Sequence, residues 1–131
     1  MTVRVGKAFG ELGPPMILMS YLLAQRFTIW GWVCGIPHER LIAYHRLHGW
    51  AFFAVITAHM ACMATAMRQR VHGYPITRQI DSPMNVMMVN PQLGIAAYIL
   101  WSFVAFTSLD FVRRANWGMF YAMHFSFFPG E

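Results

Sequence analysis

Six histidines hold most of the chemistry this sequence could perform: His38, His45, His48, His59, His72 and His124. His59 and His124 fall well inside apolar runs, and His45 and His48 stand at the start of one. Polar side chains at membrane depth are costly and usually functional. His45 and His59 are fourteen residues apart. On a helix that leaves them within roughly 40° of one face and about 21 Å apart along the axis, so one helix could serve two stacked cofactors. Imidazole is a normal axial ligand of haem iron, and two haems at different depths in a four-helix bundle would form an electron path across a bilayer. Such a path needs a second ligand helix, for which His124 is the candidate.

The competing account of His59 is a hydrogen bond between helices, worth about 0.6 kcal/mol or somewhat more. His48 lies about 60° from His45 and about 20° from His59 around the helix, so it could replace His45 as a ligand. It is held in reserve and read first as a packing or hydrogen-bonding residue. His38 and His72 lie in connections, where a solvated histidine is expected.

These side chains must be positioned by apolar elements. The chain has 131 residues, and 57% are hydrophobic and 11% charged, against roughly 45–50% and 25% in an average soluble domain. The net charge of +5 is scattered at the edges of apolar runs and forms no basic stripe, which argues against nucleic acid. Cys34 and Cys62 show no CxxC, CxxCH or zinc spacing. Runs at 15–34, 41–67 and 93–112 approach the roughly 20 residues needed to cross about 30 Å of hydrocarbon. A fourth, 117–128, stops after twelve residues. The expected fold is therefore an all-α integral membrane bundle of three full transmembrane helices plus a truncated fourth, in one partial domain over 1–131. The short last run implies a truncated product or partial gene model. No signal-peptide cleavage pattern follows Arg4 and Lys7, 35–40 reads as a tight turn, and 68–92, punctuated by Gly73, Pro75, Pro83 and Pro91, reads as an aqueous loop. Lysines and arginines do not fix the orientation.

Arg26 falls inside the first run, where it either meets a haem propionate or snorkels to the headgroups. Arg46 could also meet a propionate, although basic residues commonly flank a span. Asp110 stands three and four residues before Arg113 and Arg114, as in a local helical ion pair; docking of those arginines to a reductase module is the sharper alternative. The tryptophans suit interfacial anchoring, and the eleven methionines, unclustered with Cys or His, suit packing.

Tyr44-His45-Arg46 followed by Gly49-Trp50, with His59 beyond, resembles the first haem helix of the ferric reductase and NADPH oxidase superfamily. Thr107-Ser108-Leu109 with Arg113-Arg114, then Phe120-Tyr121 and His124, is similar to the segment leading into the family's later haem helix. The resemblance covers roughly residues 35–128. It implies two b-type haems in the complete family domain, His45 pairing with His124 and His59 with a histidine absent from this chain, so that at most one haem is fully ligated here. It also implies that His45, the Pro37 turn and Arg113-Arg114 face the cytosol, with electrons passing from the His45 haem to the His59 haem. A convincing first span, a last span and the flavin and nucleotide domain of the family are missing, and there is no G-x-G-x-x-G. FAD and NADPH would enter only with a reductase module supplied in cis or in trans.

The expected function is thus a haem b transmembrane electron-transfer domain of a ferric reductase-like oxidoreductase, with membrane lipid as its surroundings and a ferric chelate, Cu(II) or O₂ as outer acceptor. The basic balance of 68–92 suits an anionic chelate. A non-catalytic membrane scaffold or subunit, whose histidines only bridge helices, is one alternative; a diheme cytochrome reduced directly by ascorbate is another. Which membrane it occupies is open.

Overall fold

The computed structural model describes residues 2–26, 28–71 and 91–126. The described elements are all helices: α1 (Thr2–Ala24), α2 (Ile29–Cys34), α3 (His38–Val71), α4 (Pro91–Thr107), α5 (Asp110–Ala115) and α6 (Trp117–Ser126). They belong to two compact units, Met1–Ile76 and Thr77–Glu131. The all-helical expectation holds. The expected loop 68–92 is helical at both ends, 68–71 continuing α3 and 91–92 opening α4; its middle, 72–90 with His72, and the end of the last run at 127–131 lie outside the described residues.

In the first unit α1 packs along α3. Gly6 lies against Cys62 and Met63 of α3, whereas the Ser20 carbonyl meets His45, so the two helices run antiparallel. α1 contains Gly6, Gly10 and Gly13 and carries Pro14 and Pro15 internally. Each glycine lowers helix propensity by about 1 kcal/mol and each interior proline by about 3 kcal/mol relative to alanine. Packing, not propensity, therefore holds α1 helical, and small residues allow the close approach of backbones that stabilises helix pairs in lipid. Leu23, Leu41, Phe52 and Ala66 form the buried apolar core of this unit.

The apolar run 15–34 is not one helix. α1 begins at Thr2 and ends at Ala24, and α2 starts afresh after Thr28. The Thr28 hydroxyl accepts the Gly31 N–H at 3.1 Å, an N-cap that offers the chain a local alternative to continuing α1. Gly35, at φ 63°, closes α2 in the left-handed conformation that glycine adopts without a Cβ penalty. The Pro37 carbonyl then accepts the N–H groups of Arg40 and Leu41 and opens α3.

α3 has 34 residues, about 51 Å of helix. Its stretch His38–Arg68, which contains an 18-residue segment with a mean hydropathy of 1.5, is the one helix among the described residues long and apolar enough to cross a membrane. Tyr44, Leu47, Trp50 and Met67 are exposed on it, an unfavourable surface in water and an ordinary one against lipid tails.

The second unit is built from α4, α5 and α6. The run 93–112 divides between α4 and α5, because the chain turns at Ser108 and Leu109. The Thr107 and Ser108 hydroxyls both donate to the Val104 carbonyl, at 3.1 and 2.6 Å, and such local bonds compete with helix continuation. Asn116 then caps α6, its side-chain oxygen accepting the Met119 N–H at 3.1 Å. Thr107 and Val112 are buried in this unit.

Candidate functional site

α3 presents His45, His48 and His59 to α1, and each ring bonds a main-chain carbonyl there. His45 donates from Nδ1 to the Ser20 oxygen at 2.8 Å, and His59 donates from Nδ1 to the Gly6 oxygen at 2.7 Å. His48 uses the other nitrogen, Nε2, to reach the Met16 oxygen at 3.0 Å. A carbonyl oxygen can only accept, so the bonded nitrogen carries the proton and, in the neutral ring, the remaining nitrogen holds a lone pair. His45 and His59 thus keep Nε2, at the tip of the ring, as the basic nitrogen. His48 keeps Nδ1, which lies beside its own Cβ and is less approachable for a flat macrocycle.

A metal-bound imidazole characteristically donates its second N–H to a carbonyl or carboxylate, which fixes the tautomer and raises ligand basicity. The donor sets of His45 and His59 have that form. Sequence geometry left His45 and His48 as alternatives, and their bonding to α1 distinguishes them. Beside the carbonyl that holds His45, the Ser20 hydroxyl is buried with no hydrogen-bond partner among the described residues. The α1 acceptors were missed in the sequence because main-chain carbonyls have no residue-type signal, although Gly6 and Gly10, four residues apart, mark a face made for close contact.

His124 belongs to the second unit and is held within it. Its Nδ1 lies 3.2 Å from the Phe120 oxygen one turn earlier, and its Nε2 lies 3.3 Å from the Ser108 hydroxyl. The Phe120 ring sits 4.2 Å from the imidazole, centre to centre, and the Arg113 guanidinium is 5.8 Å from that phenyl centre. Arg113 also bonds Asp110 at 2.7 Å, the local ion pair anticipated from their spacing.

Arg26 lies exposed in the break after α1, not inside a helix. The position expected for it inside the first span is therefore replaced by one just after the end of α1, the same end of the first unit as His45. Arg46 is an exposed residue of α3, and His38 is an exposed residue of its first turn. Among the described residues no three His, Cys, Asp or Glu side chains gather as a metal-ion site. A haem requires no such cluster, because the macrocycle supplies four ligands and the protein one or two axial ones. An open depression of about 350 Å³ lined by Thr28, Ile29, Trp32 and Val33 contains no histidine.

One family, described as ferric reductase like transmembrane component, matches residues 9–130. The match takes in most of α1, all of α2 to α6, and the three histidines His45, His59 and His124. No curated protein and no solved structure matches the chain significantly.

Proposed function

The chain belongs to the family of ferric reductase like transmembrane components, and on that premise we propose that it is a haem b electron-transfer domain of a membrane oxidoreductase. Family and the apolar length of α3 together point to a membrane protein. The observation that carries the haem reading is the matched tautomer of His45 and His59, each with Nδ1–H given to an α1 carbonyl and Nε2 left basic. Both lie on one continuous helix, about 21 Å apart along its axis, so α3 would hold two redox centres at two depths.

With haem b bound, the site supplies one-electron ferric–ferrous chemistry. The rest is done by the chain. His45 and His59 would hold the haem iron through Nε2, and the Ser20 and Gly6 carbonyls, which take Nδ1–H, would fix the rings in that tautomer and enrich them in electron density. Arg26, Arg46 and the orphaned Ser20 hydroxyl offer donors for a propionate at the His45 end. His124 is the candidate ligand of the second unit; to ligate through Nε2 it would have to give up its contact with the Ser108 hydroxyl. Three full spans plus a fourth remain the proposed membrane arrangement. Electrons would come from a flavin and NADPH module in cis or in trans and pass to a ferric chelate or O₂.

The test is a haem assay on the membrane-expressed chain. Wild type should show the absorbance of b-type haem after dithionite, and His59→Ala should lower haem retention by at least the roughly 10–100-fold seen when groups supporting a metal ligand are lost. Wild-type membranes without haem would refute the proposal and favour the scaffold reading, in which all three α3 histidines merely bridge to α1 as His48 does. Full reduction by ascorbate, with no flavoprotein added, would instead assign the cytochrome reduced directly by a small donor.

A further inference from the structure

We propose that Gly10 is a positioning residue for His59: its bare backbone, together with the Gly6 carbonyl one turn earlier, forms a two-point seat that sets the tautomer and the tilt of the imidazole. The inference rests on the reading of His59 as a haem ligand and adds a residue to it. A Cβ placed on Gly10 would lie 2.8 Å from Cε1, 3.0 Å from Nδ1 and 3.7 Å from Nε2 of His59. The ring is therefore laid directly against the Gly10 backbone, with Nδ1–H bonded to the Gly6 oxygen at 2.7 Å. A carbon at 2.8 Å is well inside van der Waals contact, and the ring has to move to admit it.

The other glycines of α1 have different surroundings. At Gly6 a Cβ would meet Cys62 Cβ at 3.0 Å and Met63 Cε at 3.4 Å, so the absence of a side chain there serves the approach of the two helices. At Gly13 a Cβ would meet nothing within 4 Å. Among the described glycines, Gly10 is the one whose missing side chain is filled by a histidine ring. The seats of His45 and His48 are made differently: one turn beyond the Ser20 acceptor stands Ala24, and one turn beyond Met16 stands Ser20. The His59 seat is the one in which the backbone itself forms the floor.

Cε1 adjoins both ring nitrogens. A methyl pressing on Cε1 and Nδ1 both strains the bond to the Gly6 carbonyl and redirects Nε2. A weaker Nδ1–H bond leaves the imidazole a poorer electron donor, which stabilises the ferric form less and raises the midpoint potential of the centre it ligates.

The experiment compares wild type, Gly10→Ala, Gly13→Ala, His59→Ala and the Gly10→Ala/His59→Ala double variant in detergent-purified full chain. Two readouts are taken: midpoint potential with the ferric haem resonance spectrum, and thermal unfolding. Gly10→Ala should raise one midpoint potential and shift one set of ferric haem resonances, while Gly13→Ala matches wild type. In unfolding, the penalty of Gly10→Ala should disappear in the His59→Ala background, since the ring the methyl meets is gone. Additive unfolding effects overturn the seat, as does, where His59→Ala loses haem, a Gly10→Ala protein with unaltered potentials and resonances. If Gly10→Ala fails to accumulate in membranes, rescue of accumulation by His59→Ala supports the seat and lack of rescue overturns it. Full haem content in His59→Ala, with non-additive unfolding, refutes the ligand reading of His59 while leaving the contact standing, so the two failures are distinct.

Discussion

His45 and His59 in the first unit and His124 in the second each place Nδ1 at a main-chain carbonyl, but carbonyls of different origin. The first two reach across to another helix and bond main-chain carbonyls at 2.8 and 2.7 Å. His124 is held by its own preceding turn and by a hydroxyl at 3.3 Å. A carbonyl only accepts, so in all three rings the contact asks for the proton on Nδ1; the difference lies in whose carbonyl it is, that of a neighbouring helix for His45 and His59 and that of its own preceding turn for His124. Backbone acceptors also demand that the helices come close, and α1 meets that demand with glycine. The comparison teaches that the α3 rings are placed by the packing of α1 on α3, whereas the His124 ring is placed by contacts within its own unit.

The sharpest challenge to this contrast is steric. Gly6→Ala should destabilise the chain by about 1–3 kcal/mol, the usual penalty of overpacking, because its Cβ would stand 3.0 Å from Cys62 Cβ. Gly94→Ala in α4, where a Cβ meets nothing within 4 Å, should be neutral or stabilise by up to about 1 kcal/mol through helix propensity. Thermal unfolding in detergent compares them, and equal effects would erase the distinction between the units. A smaller effect is expected from Thr28→Ala, about 1 kcal/mol for a lost N-cap. Hydrogen exchange should quicken at the Gly31 amide, and an unchanged rate would mean that the hydroxyl does not hold the start of α2.

In the second unit Ser108→Ala should cost about 0.6 kcal/mol, the average for a polar contact between membrane helices. An effect as large as that of Gly6→Ala would show that His124 is as rigidly placed as the α3 histidines. Smallest of all, Asp110→Asn should shift stability by about 0.5 kcal/mol or less, since its pair with Arg113 is largely open to solvent and spans one turn. The shift should fade with added salt, and one that salt does not move would point to a buried network.

The α3 helix and its histidine spacing were legible in the sequence, because a long uncharged run and a period of 3.6 residues are side-chain properties. The ends of helices were not. Hydropathy joined 15–24 to 29–34 across Gln25 and Arg26, and neither signals a break as strongly as the Thr28 cap that makes it. The turn at Ser108 was likewise hidden, since Thr107 and Ser108 are tolerated in apolar runs until both hydroxyls fold back on one carbonyl. α1 was placed too late because Arg4, Lys7 and three glycines lower its hydropathy without preventing a helix supported by α3. His45 and His48 could not be separated by angle; the choice lies in which ring nitrogen meets α1, a contact between residues 25 and 32 positions apart.

That choice also supplies the most direct test. Haem content per chain should be measured in membranes expressing His45→Ala and His48→Ala at equal protein levels. If the basic Nε2 marks the ligand, His45→Ala loses haem and His48→Ala retains the wild-type content. Retention in His45→Ala with loss in His48→Ala would contradict the assignment and return the α1 carbonyls to a purely structural role.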